Sequence, residues 1–224
     1  MTINYEQFFS NYKNQRLRWK FWHSVIGNYK KSGRLLDIGC ATGYFLKEME
    51  NDYECYGVEN FESAAKQAKE NVRAKIYARD ASNLQFFKSE FFDVVTAFDV
   101  LEHLEYPEKC IKESLRVLKS GGIFVISVPN TNSIGKSIKK EKWFGFADKT
   151  HKSLHKPETW RLLLKQNGAK IIREFGDGLW DSPYLHNIPR SFQKLFQLPT
   201  RAQELLKVPI LPSIGENMII IARK

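Results

Sequence analysis

The chain is short of several things, and each shortage removes a class of protein. It has three cysteines in 224 residues, Cys40, Cys55 and Cys110, odd in number and far apart. That excludes a disulfide framework and the paired spacing of a zinc site. Apolar runs are brief, as in Ile123-Phe124-Val125-Ile126, against the roughly 20 residues that a membrane-spanning helix needs. The stretch from Tyr5 to Tyr12 is broken by Glu6, Gln7, Ser10 and Asn11, so it lacks the apolar core of a secretory signal. A cytoplasmic location is therefore expected. There is no internal repeat, no low-complexity tract and no long basic block, although the net charge is +10. The lysines are scattered, with one denser stretch from Lys136 to Lys142. Such a distribution fits a solubilising surface as well as it fits an anionic partner.

Also missing is the Gly-x-Gly-x-x-Gly turn that seats a dinucleotide pyrophosphate against a helix N-terminus. In its place stands Leu35-Leu36-Asp37-Ile38-Gly39-Cys40-Ala41-Thr42-Gly43, an apolar strand running through an acid into a glycine turn. A helix opens directly afterwards at Tyr44-Phe45-Leu46. A carboxylate beside the turn disfavours two phosphates and favours a cofactor with positive charge. S-adenosylmethionine, with its ammonium and sulfonium, meets that requirement, whereas NAD does not.

Around this turn, strand and helix patterns alternate. An N-terminal helix is expected over residues 4–31, with Trp19, Trp22, Ile26 and Tyr29 on one face. Strands are expected at 34–38, 54–58, 75–78, 92–98, 123–128, 169–175 and 217–222, and helices at 44–51, 63–71, 106–118 and 157–167. Residues 130–154 read as a polar loop dotted with aromatics, and 176–214, with five prolines, show little periodicity. Alternation of this kind predicts an α/β fold with a mostly parallel sheet and right-handed crossovers. The near-continuous apolar strand 123–128 predicts helices on both faces of that sheet.

The first four strands each end at an acid: Asp37, Glu59, Asp80 and Asp99. Ligands of open α/β sheets bind outside the carboxyl ends of the strands. Asp37 and Glu59 are 22 residues apart, near the roughly 20 that separate a glycine turn from a ribose-binding acid. Asp80 is placed either to accept from an adenine amino group, with the Ala81 backbone reading the ring, or to cap a helix at Ala81.

Taken with Val58-Glu59, Phe92-Asp93-Val94-Val95, Val100-Leu101-Glu102-His103 and Leu118-Lys119-Ser120-Gly121-Gly122, these motifs resemble the class I S-adenosylmethionine-dependent methyltransferases. The resemblance is to their small-molecule group, which includes the ubiquinone-type O-methyltransferases. It spans roughly residues 33–175 and the final strand, weakening through Asp148-Lys149-Thr150-His151. It implies a Rossmann-like, doubly wound sheet of seven strands, mostly parallel, with the last strand antiparallel. It also implies an N-terminal helical cap at 1–32 and a methyltransferase domain at 33–224, with lid insertions at about 130–154 and 176–214. Asp37, Gly39, Cys40, Ala41 and Gly43 would hold the methionine end of S-adenosylmethionine, and Glu59 the ribose. Asp80 and Ala81 would take the adenine, and Phe98 and Asp99 would line the cofactor. Ala41 departs from the family's usual glycine, which is tolerable if its φ stays negative. Arg16 or Arg18 could meet the cofactor carboxylate.

His103, just after strand four, is the candidate general base; the alternative is that the imidazole only orders its loop. His151 and His155 stand at i, i+4, but Pro157 argues against a regular helix there and no acidic pair completes a ligand set, so no metal is expected. The aromatics Trp143, Phe144, Phe146, Trp180, Tyr184, Phe192 and Phe196 could enclose a flat or greasy acceptor, or form the core beneath a long loop. Phe192, Leu195 and Phe196 beside Arg190 and Lys194 could form a helix touching a membrane surface. The expected function is methyl transfer from S-adenosylmethionine to a small-molecule or lipid-linked acceptor, at oxygen. The alternatives are an RNA or other nucleic-acid methyltransferase, suggested by the charge, and a non-catalytic S-adenosylmethionine-binding protein. Against the nucleic-acid reading, Val128-Pro129-Asn130-Thr131 is not the Pro-Pro motif used on adenine amino groups, and no RNA-binding module is appended.

Overall fold

A computed structural model describes residues 15–178 and 198–224. The order of elements is α1 (Arg16–Gly27), β1 (Gly33–Ile38), α2 (Tyr44–Met49), β2 (Tyr53–Glu59), α3 (Glu62–Asn71), β3 (Lys75–Ala78) and β4 (Phe92–Phe98). After a 3-10 turn at Leu101–His103 come α4 (Pro107–Val117), β5 (Leu118–Pro129), α5 (Ile134–Lys139), α6 (Phe144–Ala147), α7 (Pro157–Gln166) and β6 (Lys170–Asp177). Then follow α8 (Leu198–Leu206) and β7 (Asn217–Arg223).

The seven strands form one sheet in the order β3-β2-β1-β4-β5-β7-β6. Pairings from β3 through β5 are parallel, while β7 runs antiparallel to both β5 and β6. The chain therefore reverses its winding between β1 and β4, and the crevice there opens beside the C-terminal ends of both strands. Successive strand residues point to opposite faces, and each face carries its own core. Leu36, Val95 and Phe124 pack with Ile111 and Leu115 of α4 and Trp160 of α7 on one side. Their chain neighbours Leu35, Val94 and Ile123 pack with Trp22 and Ile26 of α1 and Phe45 of α2 on the other. Each such fully buried side chain contributes about 1.5–3 kcal/mol.

The helix expected as an N-terminal cap is thus one of the layers that closes the sheet: Trp22 is fully buried, 4.5 Å from the Phe98 ring. Its expected first part, residues 4–14, lies outside the described residues. The stretch 130–154 is not a plain loop, since it holds α5 and α6. β5 begins at Leu118 rather than Ile123; its register slips at Gly121-Gly122, where Gly121 has φ 73° and donates to the Lys224 carbonyl. Trp180, Tyr184, Phe192 and Phe196, and the expected membrane-touching helix, lie outside the described residues. α8 supplies a helix where little periodicity was read.

Candidate active site

β1 carries Asp37 to the middle of the sheet's C-terminal edge, where its side chain is buried and takes a 2.7 Å hydrogen bond from Thr96 Oγ1. Burial pushes its pKa up to about 7; the Thr96 bond opposes this and the Glu59 charge adds to it. The chain then turns tightly. Gly39 and Cys40 donate their N–H groups to the Val58 carbonyl at 2.7 and 3.1 Å, tying the turn to β2. Gly39 (φ 72°) and Gly43 (φ 83°) sit in the left-handed region, which glycine adopts freely. A Cβ on Gly39 would lie 2.3 Å from Val100 Cγ2. Ala41, tolerable only if its φ stayed negative, is at +47°, so it carries the strain that the family's usual glycine would avoid. Cys40 is buried against Gly57, and burial holds its thiol protonated.

Glu59 closes the turn from β2. Its Oε2 takes the Ala41 N–H and its Oε1 the Phe61 N–H, each at 2.9 Å. Burial raises its pKa against those backbone bonds. A carboxylate has about four acceptor directions, so these two bonds do not exhaust its acceptor capacity. Thr42 Oγ1, in the same turn, is buried with no hydrogen-bond partner among the described residues.

The other strand ends are more committed than their positions suggested. Asp80 is exposed, and its Oδ1 accepts from Ser82 N at 2.6 Å and Ser82 Oγ at 2.5 Å, a side-chain turn with no helix at Ala81 for it to cap; Ala81 beside it is buried. Phe98 packs between Trp22 and Phe45. Asp99, at φ 56°, accepts through Oδ1 from Ser127 Oγ (2.6 Å) and Asn217 Nδ2 (2.7 Å). Its Oδ2 faces Arg18 Nη2 at 3.4 Å, and the same Nη2 lies 3.2 Å from Asp177 Oδ2. Arg18, a candidate reader of the cofactor carboxylate, is therefore engaged by two carboxylates of the protein itself. Burial raises the Asp177 pKa to about 6, with Arg18 opposing.

Past Asp99, the turn Leu101–His103 lays His103 against residues 148–151. Thr150 Oγ1 is 2.9 Å from His103 Nδ1 and 2.6 Å from Asp148 Oδ1. His151 Nδ1 is 2.8 Å from the Gly145 carbonyl, and its ring centroid is 4.8 Å from that of His103. The Glu102 carbonyl accepts from Lys152 N and Ser153 N at 2.8 and 2.9 Å, pinning the two segments together. The Glu102 side chain is buried and its Oε2 has no hydrogen-bond partner among the described residues. Burial presses the His103 pKa down, and the nearby His151 adds to this.

The profile of the methyltransferase-domain family matches residues 11–174. This chain belongs to that family. It is a class I S-adenosylmethionine-dependent methyltransferase. An uncharacterised protein of Methanocaldococcus jannaschii is 26% identical over 206 residues, covering 83% of this chain and 80% of the relative. The mitochondrial ubiquinone biosynthesis O-methyltransferase of Candida albicans is 30% identical over 110 residues, covering 45% of this chain and 33% of that enzyme. Among solved structures, a SAM-dependent methyltransferase from Archaeoglobus fulgidus superposes with a TM-score of 0.70 at 22% identity, covering 99% of this chain and all of that one. A methyltransferase of Thermotoga maritima, described as a possible histamine N-methyltransferase, does so with a TM-score of 0.66 at 23% identity over the full length of both chains.

The methyltransferase's crevice suits its cofactor. Asp37 and Glu59 give it an acidic floor for a cationic ligand, and the orphaned Thr42 hydroxyl offers an unused polar atom in the glycine turn. Asp148 and Thr150 as partners of His103, and Glu102 beside it, were not foreseen; the Asp-x-Thr spacing was the available signal. Residues 151–156 hold no helix that would stack His151 on His155, and His155 packs edge-on against Trp160 at 4.9 Å. Instead a ring nitrogen each of His103 and His151 and a carboxyl oxygen of Glu102 lie within 4.8 Å of one another. Burial first, and the Asp99 charge next, raise the Glu102 pKa well above the usual range. Burial favours the protonated Glu102 carboxyl and the neutral His103 imidazole, a pairing suited to proton handling. No helix among the described residues is long and apolar enough to cross a membrane.

Proposed function

We propose that this methyltransferase methylates a hydroxyl oxygen of a small-molecule or lipid-linked acceptor, with His103 as the general base. Bound S-adenosylmethionine supplies a methyl carbon on a sulfonium, whose leaving group is a neutral thioether. The protein's first task is alignment, which can be worth about 7–11 kcal/mol. Asp37, Gly39, Cys40, Ala41 and Gly43 hold the methionine end, Glu59 the ribose, Asp80 and Ala81 the adenine, and Phe98 and Asp99 the wall of the site. The second task is to take the hydroxyl proton. The observation that carries the reading is the His103 imidazole, partly buried at the turn leaving β4 and kept neutral by its surroundings. A positioned base of this kind contributes about 10²–10⁴-fold. Ile134, Ile138, Phe146, Leu205 and Leu206 are exposed large apolar side chains on α5, α6 and α8, which supports a greasy acceptor or contact with a lipid surface. The ubiquinone biosynthesis O-methyltransferases among the relatives support oxygen, and the Thermotoga neighbour's description makes an amine the rival acceptor.

The test is transfer of radiolabelled methyl from S-adenosylmethionine into fractionated cell extract, with Glu59→Ala and His103→Asn as controls. Label in a polar-metabolite or lipid fraction, lost in both controls, supports the reading. Label in RNA would give the basic surface a purpose and overturn the proposed acceptor. Cofactor binding with no label in any fraction favours the non-catalytic alternative.

A further inference from the structure

The partners of the two imidazoles decide which tautomer each holds. Thr150 Oγ1 carries one proton, and its two neighbours are His103 Nδ1 at 2.9 Å and Asp148 Oδ1 at 2.6 Å. A carboxylate only accepts, and Asp148 is ionised: although burial works the other way, the Thr150 hydrogen bonds keep its pKa below the usual value. The same Oδ1 also takes the Thr150 N–H at 2.8 Å. The hydroxyl proton therefore belongs to Asp148, and the Thr150 oxygen turns a lone pair to His103. Nδ1 of His103 must carry the ring proton, so Nε2 of the neutral imidazole is bare. The Gly145 carbonyl, which also only accepts, fixes His151 in the same way through Nδ1 at 2.8 Å.

We propose that Asp148 and Thr150 are positioning residues that hold His103 in the Nδ1–H form, so that Nε2 is the basic atom presented to the acceptor's hydroxyl. This rests on the reading of His103 as the base. In the step itself the acceptor O–H bond breaks, the Nε2–H bond forms, and the electron pair stays on oxygen as the nucleophile. His103 becomes an imidazolium whose Nδ1–H remains on Thr150, with the Asp148 charge behind it, an orienting chain of the kind that sets a catalytic imidazole's tautomer. The other charged and titratable groups acting on this imidazole are His151, Asp99 and the buried Glu102.

The experiment reads the tautomer directly, by long-range nitrogen–proton NMR of ring-labelled protein without acceptor, together with turnover on the acceptor fraction labelled in extract. The wild-type protein should show His103 as Nδ1–H. Thr150→Ser should keep that form and most of the turnover. Thr150→Val should release it toward Nε2–H and lower kcat by at least about tenfold, part of the 10²–10⁴-fold a general base supplies, with KM for the cofactor unchanged. Asp148→Ala frees the hydroxyl to donate to Nδ1 and removes a charge that raises the His103 pKa. It should invert the tautomer and move the acid limb of the kcat profile to lower pH, while the Thr150→Ser melting temperature controls for folding. His103 found as Nε2–H in the wild type, or a Thr150→Val enzyme with unchanged kcat and pH profile, would overturn the proposal. Chelator-abolished activity restored by a divalent cation would put Nε2 on a metal and overturn it too. The expected tautomers with full activity in His103→Asn would keep the positioning and refute His103 as the base.

Discussion

Asp37 titrates near 3.8 in an unfolded chain and near 7 in this fold, where its side chain is buried beneath the glycine turn. Burial is the main cause; the Thr96 hydrogen bond offsets part of it and the Glu59 charge adds to it. A raised native pKa means that, between these values, the folded protein holds a proton the unfolded chain has lost. Its contribution to stability is complete below about pH 4, falls as pH rises toward about 7, and is gone above that. About three units at about 1.36 kcal/mol each amount to at most about 4 kcal/mol. For a chain of this size that corresponds to roughly 8–16 °C in melting temperature. Asp37→Asn keeps an acceptor for Thr96 and removes the titration. Carboxylates with lowered pKa values, such as Glu54, Asp93 and Glu113, weaken both proteins in acid, so the informative quantity is the difference between them. Urea unfolding of the ligand-free proteins from about pH 4 to about pH 8 should show that difference moving in favour of Asp37→Asn, then levelling. S-adenosylmethionine, as a cation, should flatten the wild-type slope more than S-adenosylhomocysteine, which lacks the sulfonium charge. Parallel curves for the two proteins would refute the argument, because Asp37 would then hold no proton in the fold.

Three further outcomes are expected. Ala41→Gly should raise stability by about 0.5–1 kcal/mol, read from urea midpoints, because it relieves a left-handed residue at the cost of some chain entropy. Gly39→Ala should lower it by about 2–4 kcal/mol and weaken cofactor binding in calorimetry, since the new methyl meets Val100 at a φ that alanine resists. Lys139→Met breaks a fully buried 2.7 Å pair with Glu216, and should cost about 3–5 kcal/mol, with faster proteolysis near α5.

The strands were legible because most are buried on both faces: β1, β2, β4 and β7 fall within about two residues of their expected bounds, as near-continuous apolar runs allow. The short helices were not. α5 has six residues and α6 four, too few turns for a helical period to register. α8 was hidden by Pro199, which sits at its second position, where proline is tolerated. It was hidden too by Leu198, Leu205 and Leu206, which remain exposed and mark no buried stripe.

The site divides along a similar line. A sequence places an acid at a strand end, but which neighbours claim its oxygens depends on chain far away. Asp37 and Asp99 end adjacent parallel strands, and nothing local distinguishes their tasks. Asp99 is claimed by Asn217, 118 residues later, only because β7 inserts antiparallel beside β5 and brings its first residue to the end of β4. Arg18 is claimed by Asp99 and Asp177 only because α1 packs across the C-terminal ends of β4 and β6. In the same way, Asp148-x-Thr150 is a local turn until His103, 47 residues earlier, gives the Thr150 hydroxyl a second partner. The atoms left to meet ligands are those that non-local pairing has not consumed: the Asp37 oxygen that Thr96 does not hold, the spare lone pairs of Glu59, the Thr42 hydroxyl and the far nitrogen of His103. Cofactor contacts on Asp99 would have to compete with three side-chain partners, whereas Glu59 accepts from backbone N–H groups of its own turns. Removing Glu59 should accordingly cost more cofactor affinity than removing Asp99, and competitive binding of S-adenosylhomocysteine to Glu59→Gln and Asp99→Asn decides the order.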